Sequence, residues 1–343
     1  GDWSSDVCSS RSESQKKGGD WTGGRAFLLP LLKPAITNTS LEHFKSHFIP
    51  LSSSLFALAA TAKAGERTLE AKIYDTLIDQ IWALLPGYCT YATDVVTSFS
   101  LEFLNTLTTI LYSTPSLRQP ILRALQLLLS TTTSLASSQS PPELLFAQFG
   151  LTPADGRAAL AHLSSLAPTV LGVAFNVYTQ LDKSEAGSGV GMGVLAVVKD
   201  WSAALGPAER EGVVGKVEGL LRACLEEKAA RADDKDNKAE PGVEIGLLDI
   251  SLALIPEKGQ AGTQGVEALK SMFELARSEA VLGSKDQGVQ KRGYRILNRL
   301  VEAGVIGGEG QAEKAGEVVE ALVERGGKVN SGAKRVRLLP TSS

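Results

Sequence analysis

The chain has 343 residues, 43% hydrophobic and 21% charged, enough for two ordinary domains or one elongated array with a sizeable core. A formal net charge of −3 excludes a protein that is basic throughout, so any nucleic-acid contact must use local patches. Three widely spaced cysteines, Cys8, Cys89 and Cys224, exclude a disulfide framework and a Cys-x-x-Cys zinc site, and they fit a reducing compartment.

Residues 1–24 are polar, Ser- and Gly-rich and without period, and are read as a disordered or non-native tail with no apolar signal core. Order is expected from about residue 25, where apolar residues gather around Pro30 and Pro34. Ser40 then precedes a short amphipathic run with Leu41, Phe44 and Phe48 on one side. In residues 69–85 the apolar positions Leu69, Ile73, Leu77, Ile81 and Leu84 recur at helical spacing, with Tyr74, Ile78 and Leu85 beside them and Lys72, Asp75 and Asp79 opposite. Pro86 and Gly87 are expected to stop that helix. Residues 98–112 and 116–130 read as the next two helices. The second carries Leu117, Ile121, Leu125 and Leu128 as a stripe, widened by Leu122 and Leu129.

After a Ser/Thr/Pro break, helices are expected at 142–149, 153–165 and 168–182, and then a flexible Gly-rich break at 184–193. Two further helices precede a charged linker at 231–241, and four more come after it. No apolar run is read as reaching the roughly 18 residues of a membrane span. No segment alternates as a strand would. Consecutive helix pairs with short breaks predict an all-α fold, an α-α superhelix of the HEAT/armadillo solenoid type. An irregular helical bundle is the other architecture these elements allow. The expected organisation is a tail at 1–24, helical repeats at 25–230, the linker at 231–241, repeats again at 242–325 and a basic flexible tail at 326–343.

Several patterns could carry chemistry. His43 and His47 lie at i and i+4, a ligand spacing, but Phe44 stands where a metalloprotease helix needs glutamate. Cys89 has no histidine near it in the chain to make a thiolate, and a small buried apolar role suits it better. The glycines at 187, 189, 191 and 193 do not form G-x-G-x-x-G and come after no strand. The acidic run at 233–238 lacks the glycine and closing glutamate of a calcium loop. The basic pattern is the more informative one. Lys291, Arg292, Arg295 and Arg299 fall along one helical edge, opposite Ile296, Leu297 and Leu300. The tail adds Lys328, Lys334, Arg335 and Arg337. Arginines on a rigid helix suit phosphate contacts, being planar cations with several donors. A solvated helix face is the structural alternative. The candidate RNA-binding set is therefore Lys291, Arg292, Arg295, Arg299, Lys334, Arg335 and Arg337. No catalytic residue, metal or cofactor is assigned.

The stretches FLLPLLK (27–33), FIPLS (48–52) and QIWALLPGYC (80–89), with Asp94, SLRQPILRALQLLL (116–129) and QKRGYRILNRL (290–300), together resemble the ribosomal RNA-processing protein 12 family of HEAT-repeat pre-ribosome factors. The resemblance is good over about 25–130 and thin to about 305, and family members are longer than this chain. It implies a non-enzymatic solenoid that accompanies pre-ribosomal particles in the nucleolus. It further implies association with RNA, assembly factors and the export machinery, and a part in small-subunit maturation and nuclear export. No membrane is implied. The competing expectation is a transport-receptor-like adaptor that binds a small GTPase or nucleoporins without touching RNA. Under either expectation LLPGYC makes a helix–helix corner, anchored by Trp82 and Leu85, with Tyr88 and Cys89 packed beneath.

Overall fold

The computed structural model describes residues 44–89, 101–137, 151–231, 243–257 and 266–305, and all its regular elements there are helical. The chain divides into two compact units, the first ending at Gly206 and the second beginning at Pro207. The charged stretch 231–241 lies outside the described residues except for Arg231.

Unit 1 begins with a π-helical turn, Phe44–Phe48, which runs into α1 (Ile49–Ala64) and then α2 (Thr68–Trp82). The two helices form an antiparallel hairpin, because only three residues connect them. Glu66 closes that turn at φ 54°, a left-handed conformation that costs a side-chain-bearing residue energy. Glu66→Gly is therefore expected to stabilise unit 1 by about 0.5–1 kcal/mol, measured by chemical denaturation.

The stripe buried by α2 is not the one its strongest apolar period announces. Ala71, Ile78 and Trp82 face α1, whereas Leu69 and Ile73 are exposed and Leu77, Ile81 and Leu84 are half buried. The helix also ends earlier than Pro86 and Gly87 predict. It stops at Trp82, and Pro86 and Gly87 sit inside a one-turn helix, α3 (Leu85–Tyr88), where the missing proline N–H would be unpaired anyway. Leu85, Tyr88 and Cys89 are buried there, as the corner reading expects. Phe44, Phe48, Phe56, Trp82 and Tyr88 make one aromatic cluster around it, with neighbouring ring centroids 5.1–6.1 Å apart.

Next come α4 (Leu101–Ser113), a 3₁₀ turn at Pro115–Leu117, and α5 (Arg118–Ser137). Here the sequence stripe is the real one: Leu117, Ile121, Leu122, Leu125, Leu128 and Leu129 are all buried. The helices expected at 153–165 and 168–182 are a single one, α6 (Pro153–Gln180), with Pro168 inside it. Pro168 projects outward, while Leu163, Leu166, Ala167, Val170 and Leu171 all face the core, and that packing overrides the proline's preference to break. Thr152 caps the helix and Asp155 returns the bond, a capping box. Hydrogen bonds from the Thr152 hydroxyl and then its backbone N–H hold the Asp155 carboxyl below the usual carboxylate range. By length and composition α6 is apolar enough to cross a bilayer, contrary to the sequence expectation, but it packs against α4, α5 and α8 as a core helix does. The segment at 142–149 lies outside the described residues.

The Gly-rich stretch is not a flexible break either. After the single turn α7 (Lys183–Ala186), Ser188 caps α8 (Gly189–Ala203), so Gly189, Gly191 and Gly193 are helical. A Cβ on Gly191 would lie 2.1 Å from the Ala186 carbonyl oxygen, so that position needs glycine for the close approach of α7. Trp201 on α8 is fully buried and donates its indole N–H to the Leu125 carbonyl of α5 at 3.2 Å.

Unit 2 contains α9 (Pro207–Arg231), α10 (Val243–Leu254), α11 (Val266–Arg277), the turn α12 (Glu279–Leu282) and α13 (Gln287–Glu302). Helix α9 packs on α10 and α11, and α13 packs on α10, α11 and α12. Glu244, in the first turn of α10, is buried and paired with Lys228 of α9. That pair ties α9 to α10 across the connection.

Candidate nucleic-acid interface

The basic edge lies on α13. Asp286 caps the helix, accepting from the Gly288 N–H at 2.7 Å. Val289, Ile296, Leu297 and Leu300 bury one stripe against the rest of unit 2, and Lys291, Arg292, Arg295 and Arg299 fall on the opposite half. Gly293 sits in the buried stripe for a specific reason. A Cβ there would come within 2.5 Å of Val281 Cγ1 and 3.2 Å of Leu282 Cδ2, both buried side chains of α12. Gly293→Ala is expected to destabilise unit 2 by about 1–2 kcal/mol. The overpacking exceeds the helix-propensity gain, and the midpoint of denaturant unfolding reads the difference.

The four cations do not share one role. Arg292 is three-quarters buried, and its Nε donates to Asp249 Oδ1 of α10 at 2.7 Å, with a second donation to the Gly288 carbonyl at 3.3 Å. It serves the packing of α13 on α10. Arg299 lies 4.0 Å from Glu257 and 3.8 Å from Glu302, loose pairs that leave it partly available. Lys291 and Arg295 are exposed and make no ion pair among the described residues. One helical turn separates them, so their charged ends can address successive groups along a polyanion. Lys334, Arg335 and Arg337 lie outside the described residues, as does Lys328.

The other patterns read from the sequence are not brought together as sites. His47 is exposed and His43 lies outside the described residues; among the described residues no group of three or more His, Cys, Asp or Glu side chains could hold a metal ion. Cys89 is buried, and burial pushes its thiol far above the ordinary range, the reverse of what a nucleophile needs. Cys224 is raised too, first by burial and then by the carboxylates of Glu244 and Glu227. The ion pair that Arg292 makes is not visible in the sequence, since Asp249 is 43 residues away in the chain. No spacing rule connects them.

Comparison with known proteins decides the family. The sequence profile described as ribosomal RNA-processing protein 12, HEAT repeats, matches residues 11–181. The chain belongs to the ribosomal RNA-processing protein 12 family. Among its relatives, ribosomal RNA-processing protein 12 of Saccharomyces cerevisiae is 29% identical over 316 residues, 92% of this chain and 24% of the yeast protein. A putative ribosomal RNA-processing protein 12 of Schizosaccharomyces pombe is 27% identical over 92% of the chain and 26% of its own length. The human RRP12-like protein is 27% identical over 80% of the chain and 18% of its own length. The chain thus spans about a quarter or less of the relatives it matches. The family match begins inside the stretch 1–24 and covers both the aromatic corner and α6. Its HEAT-repeat description agrees with the helical pairs of unit 1. The relatives' alignments extend over most of unit 2 as well, since 92% coverage cannot be reached without it.

Proposed function

We propose that this chain is a section of a non-enzymatic helical-repeat scaffold in ribosome biogenesis. In this reading it supports processing of pre-ribosomal RNA, and small-subunit maturation and nuclear export, by holding RNA and assembly factors in the nucleus and nucleolus. The observation that carries the RNA part is the exposed pair Lys291 and Arg295 on a helix whose other cations are engaged at least in part by carboxylates. The names of the relatives support the biogenesis part.

Magnitude limits what this edge does. Two or three phosphate contacts contribute a salt slope of roughly 1.5–2.5 in log–log terms, too shallow for tight binding by themselves. The edge therefore orients RNA on a scaffold that is held to the particle by further contacts.

The test is binding of the whole chain to a small-subunit pre-ribosomal RNA fragment across a salt series, compared with Lys291→Gln/Arg295→Gln. The expected result is a weaker complex and a salt slope lower by roughly 1.5–2 in the variant. Equal affinity and equal slope would remove α13 from the RNA path. Absence of binding by the folded parent would favour a protein-facing adaptor role.

A further inference from the structure

The arginines of α13 differ in how firmly the fold holds them. Arg292 is fixed on Asp249 at 2.7 Å, and Asp249 is largely buried, so a phosphate that took Arg292 would strand a nearly dry carboxylate. Arg299 is held loosely. Its Nη2 lies 4.0 Å from Glu257 Oε1 and its Nη1 lies 3.8 Å from Glu302 Oε2, both beyond hydrogen-bond length. Both carboxylates are half in water, where ion pairs of that length are weak. A phosphate oxygen that accepts from the guanidinium at full charge-assisted length gains more than it displaces.

Position selects the same residue. Lys291, Arg295 and Arg299 stand at i, i+4 and i+8, each about 6 Å along the axis and about 40° around it from the last. They make one winding row, and Arg299 is its third place. Glu302 lies at the end of that row, only about 20° around the axis from Lys291. Asn298 Nδ2 donates to Glu302 Oε1 at 2.8 Å and holds the carboxylate there. The helix itself does not gain from that charge, because a carboxylate in the last turn faces the negative end of the helix dipole. On the reading of α13 as an RNA edge, on which this rests, we propose that Glu302 restrains the edge. Together with Glu257 it occupies Arg299 in the free chain, and RNA takes Arg299 over as a third phosphate contact. The restraint favours a polyanion over an isolated phosphate. Only a strand already seated on Lys291 and Arg295 presents its next phosphate to Arg299 at high effective concentration.

Binding of the whole chain to the small-subunit pre-ribosomal RNA fragment across a salt series tests this, with Glu302→Gln, Arg299→Gln and the two combined. Glutamine keeps an oxygen for Asn298 and removes the charge. Glu302→Gln is expected to tighten binding about two- to fivefold, and Arg299→Gln to lower the salt slope by about 0.7–0.9. The gain from Glu302→Gln should fall by more than half when Arg299 is already glutamine. Unchanged or weaker binding by Glu302→Gln overturns the proposal. So does a gain that keeps more than half its size without Arg299, since Glu302 would then act only as a general repulsive charge. The denaturation midpoint of Glu302→Gln should not drop below the parent's; a clear drop would make Glu302 a structural residue and also overturn the proposal. Lys291→Gln/Arg295→Gln, run alongside, separates the two readings. If that pair weakens binding while Arg299→Gln leaves the slope unchanged, the RNA edge stands and the restraint falls. If no variant changes binding, both fall.

Discussion

Replacing Trp82 with alanine is expected to cost unit 1 about 3–5 kcal/mol. The indole is 1% exposed and lies edge-on to Phe48 and Phe56, at 5.6 and 6.1 Å between centroids. Two separate losses add. The first is the cavity left under α1, which the aromatic cluster cannot fill because its rings are held on several sides. The second is polar: the Trp82 N–H donates to Ser52 Oγ at 2.9 Å inside the core, and alanine leaves that buried hydroxyl short of a partner. Trp82→Phe keeps most of the apolar contact and loses the hydrogen bond, so its cost should be roughly half. Denaturant unfolding of the two variants against the parent measures both terms. A loss below about 1 kcal/mol for Trp82→Ala would show that the corner does not hold the hairpin.

Reversing charge at Arg292 is the second large effect, and it is structural. Asp249 is 13% exposed, and Arg292→Glu sets a carboxylate against it where a guanidinium stands now. The expected cost is about 3–5 kcal/mol to unit 2, and about 2–3 for Arg292→Ala, less than for a fully buried pair because the arginine keeps a quarter of its surface in water. Lys291→Glu and Arg295→Glu change stability by no more than about 0.5 kcal/mol, since both side chains are exposed. Circular dichroism during denaturant unfolding separates the two groups. A variant that reverses Arg292, Arg295 and Arg299 together would lose the fold of unit 2, so a charge test of the proposed RNA edge must leave Arg292 in place.

The helices are legible in the sequence wherever one apolar stripe dominates. Leu117, Ile121, Leu125 and Leu128 on α5, and Ile296, Leu297 and Leu300 on α13, are buried as their spacing predicts. On α2 two stripes compete, and periodicity cannot say which one meets the partner helix. The structure buries Ala71, Ile78 and Trp82 and leaves Leu69 and Ile73 exposed. Local rules also fail at Pro168, where five core side chains outweigh one lost hydrogen bond, and at Gly189–Gly193, a helical stretch in which close packing against α7 explains Gly191. The corner at Trp82–Cys89 is a packing feature, as its residues imply, though Pro86 begins a turn there instead of ending a helix. On the basic edge, helical angle alone groups four like charges. It cannot assign Arg292 to Asp249, because that ion pair depends on how α10 and α13 cross.

The indoles give unit 1 an optical signal that unit 2 lacks. All four tryptophans of the chain, Trp3, Trp21, Trp82 and Trp201, precede Pro207. Trp82 sits in the hairpin core and Trp201 between α8 and α5, two dry environments whose emission shifts to longer wavelength once water enters. Intrinsic fluorescence thus tracks the melting of unit 1 without interference from the other half of the molecule. It is also blind to that half: damage confined to α9–α13 would pass an emission scan unnoticed, and a tyrosine, calorimetric or mass-labelling signal must report it.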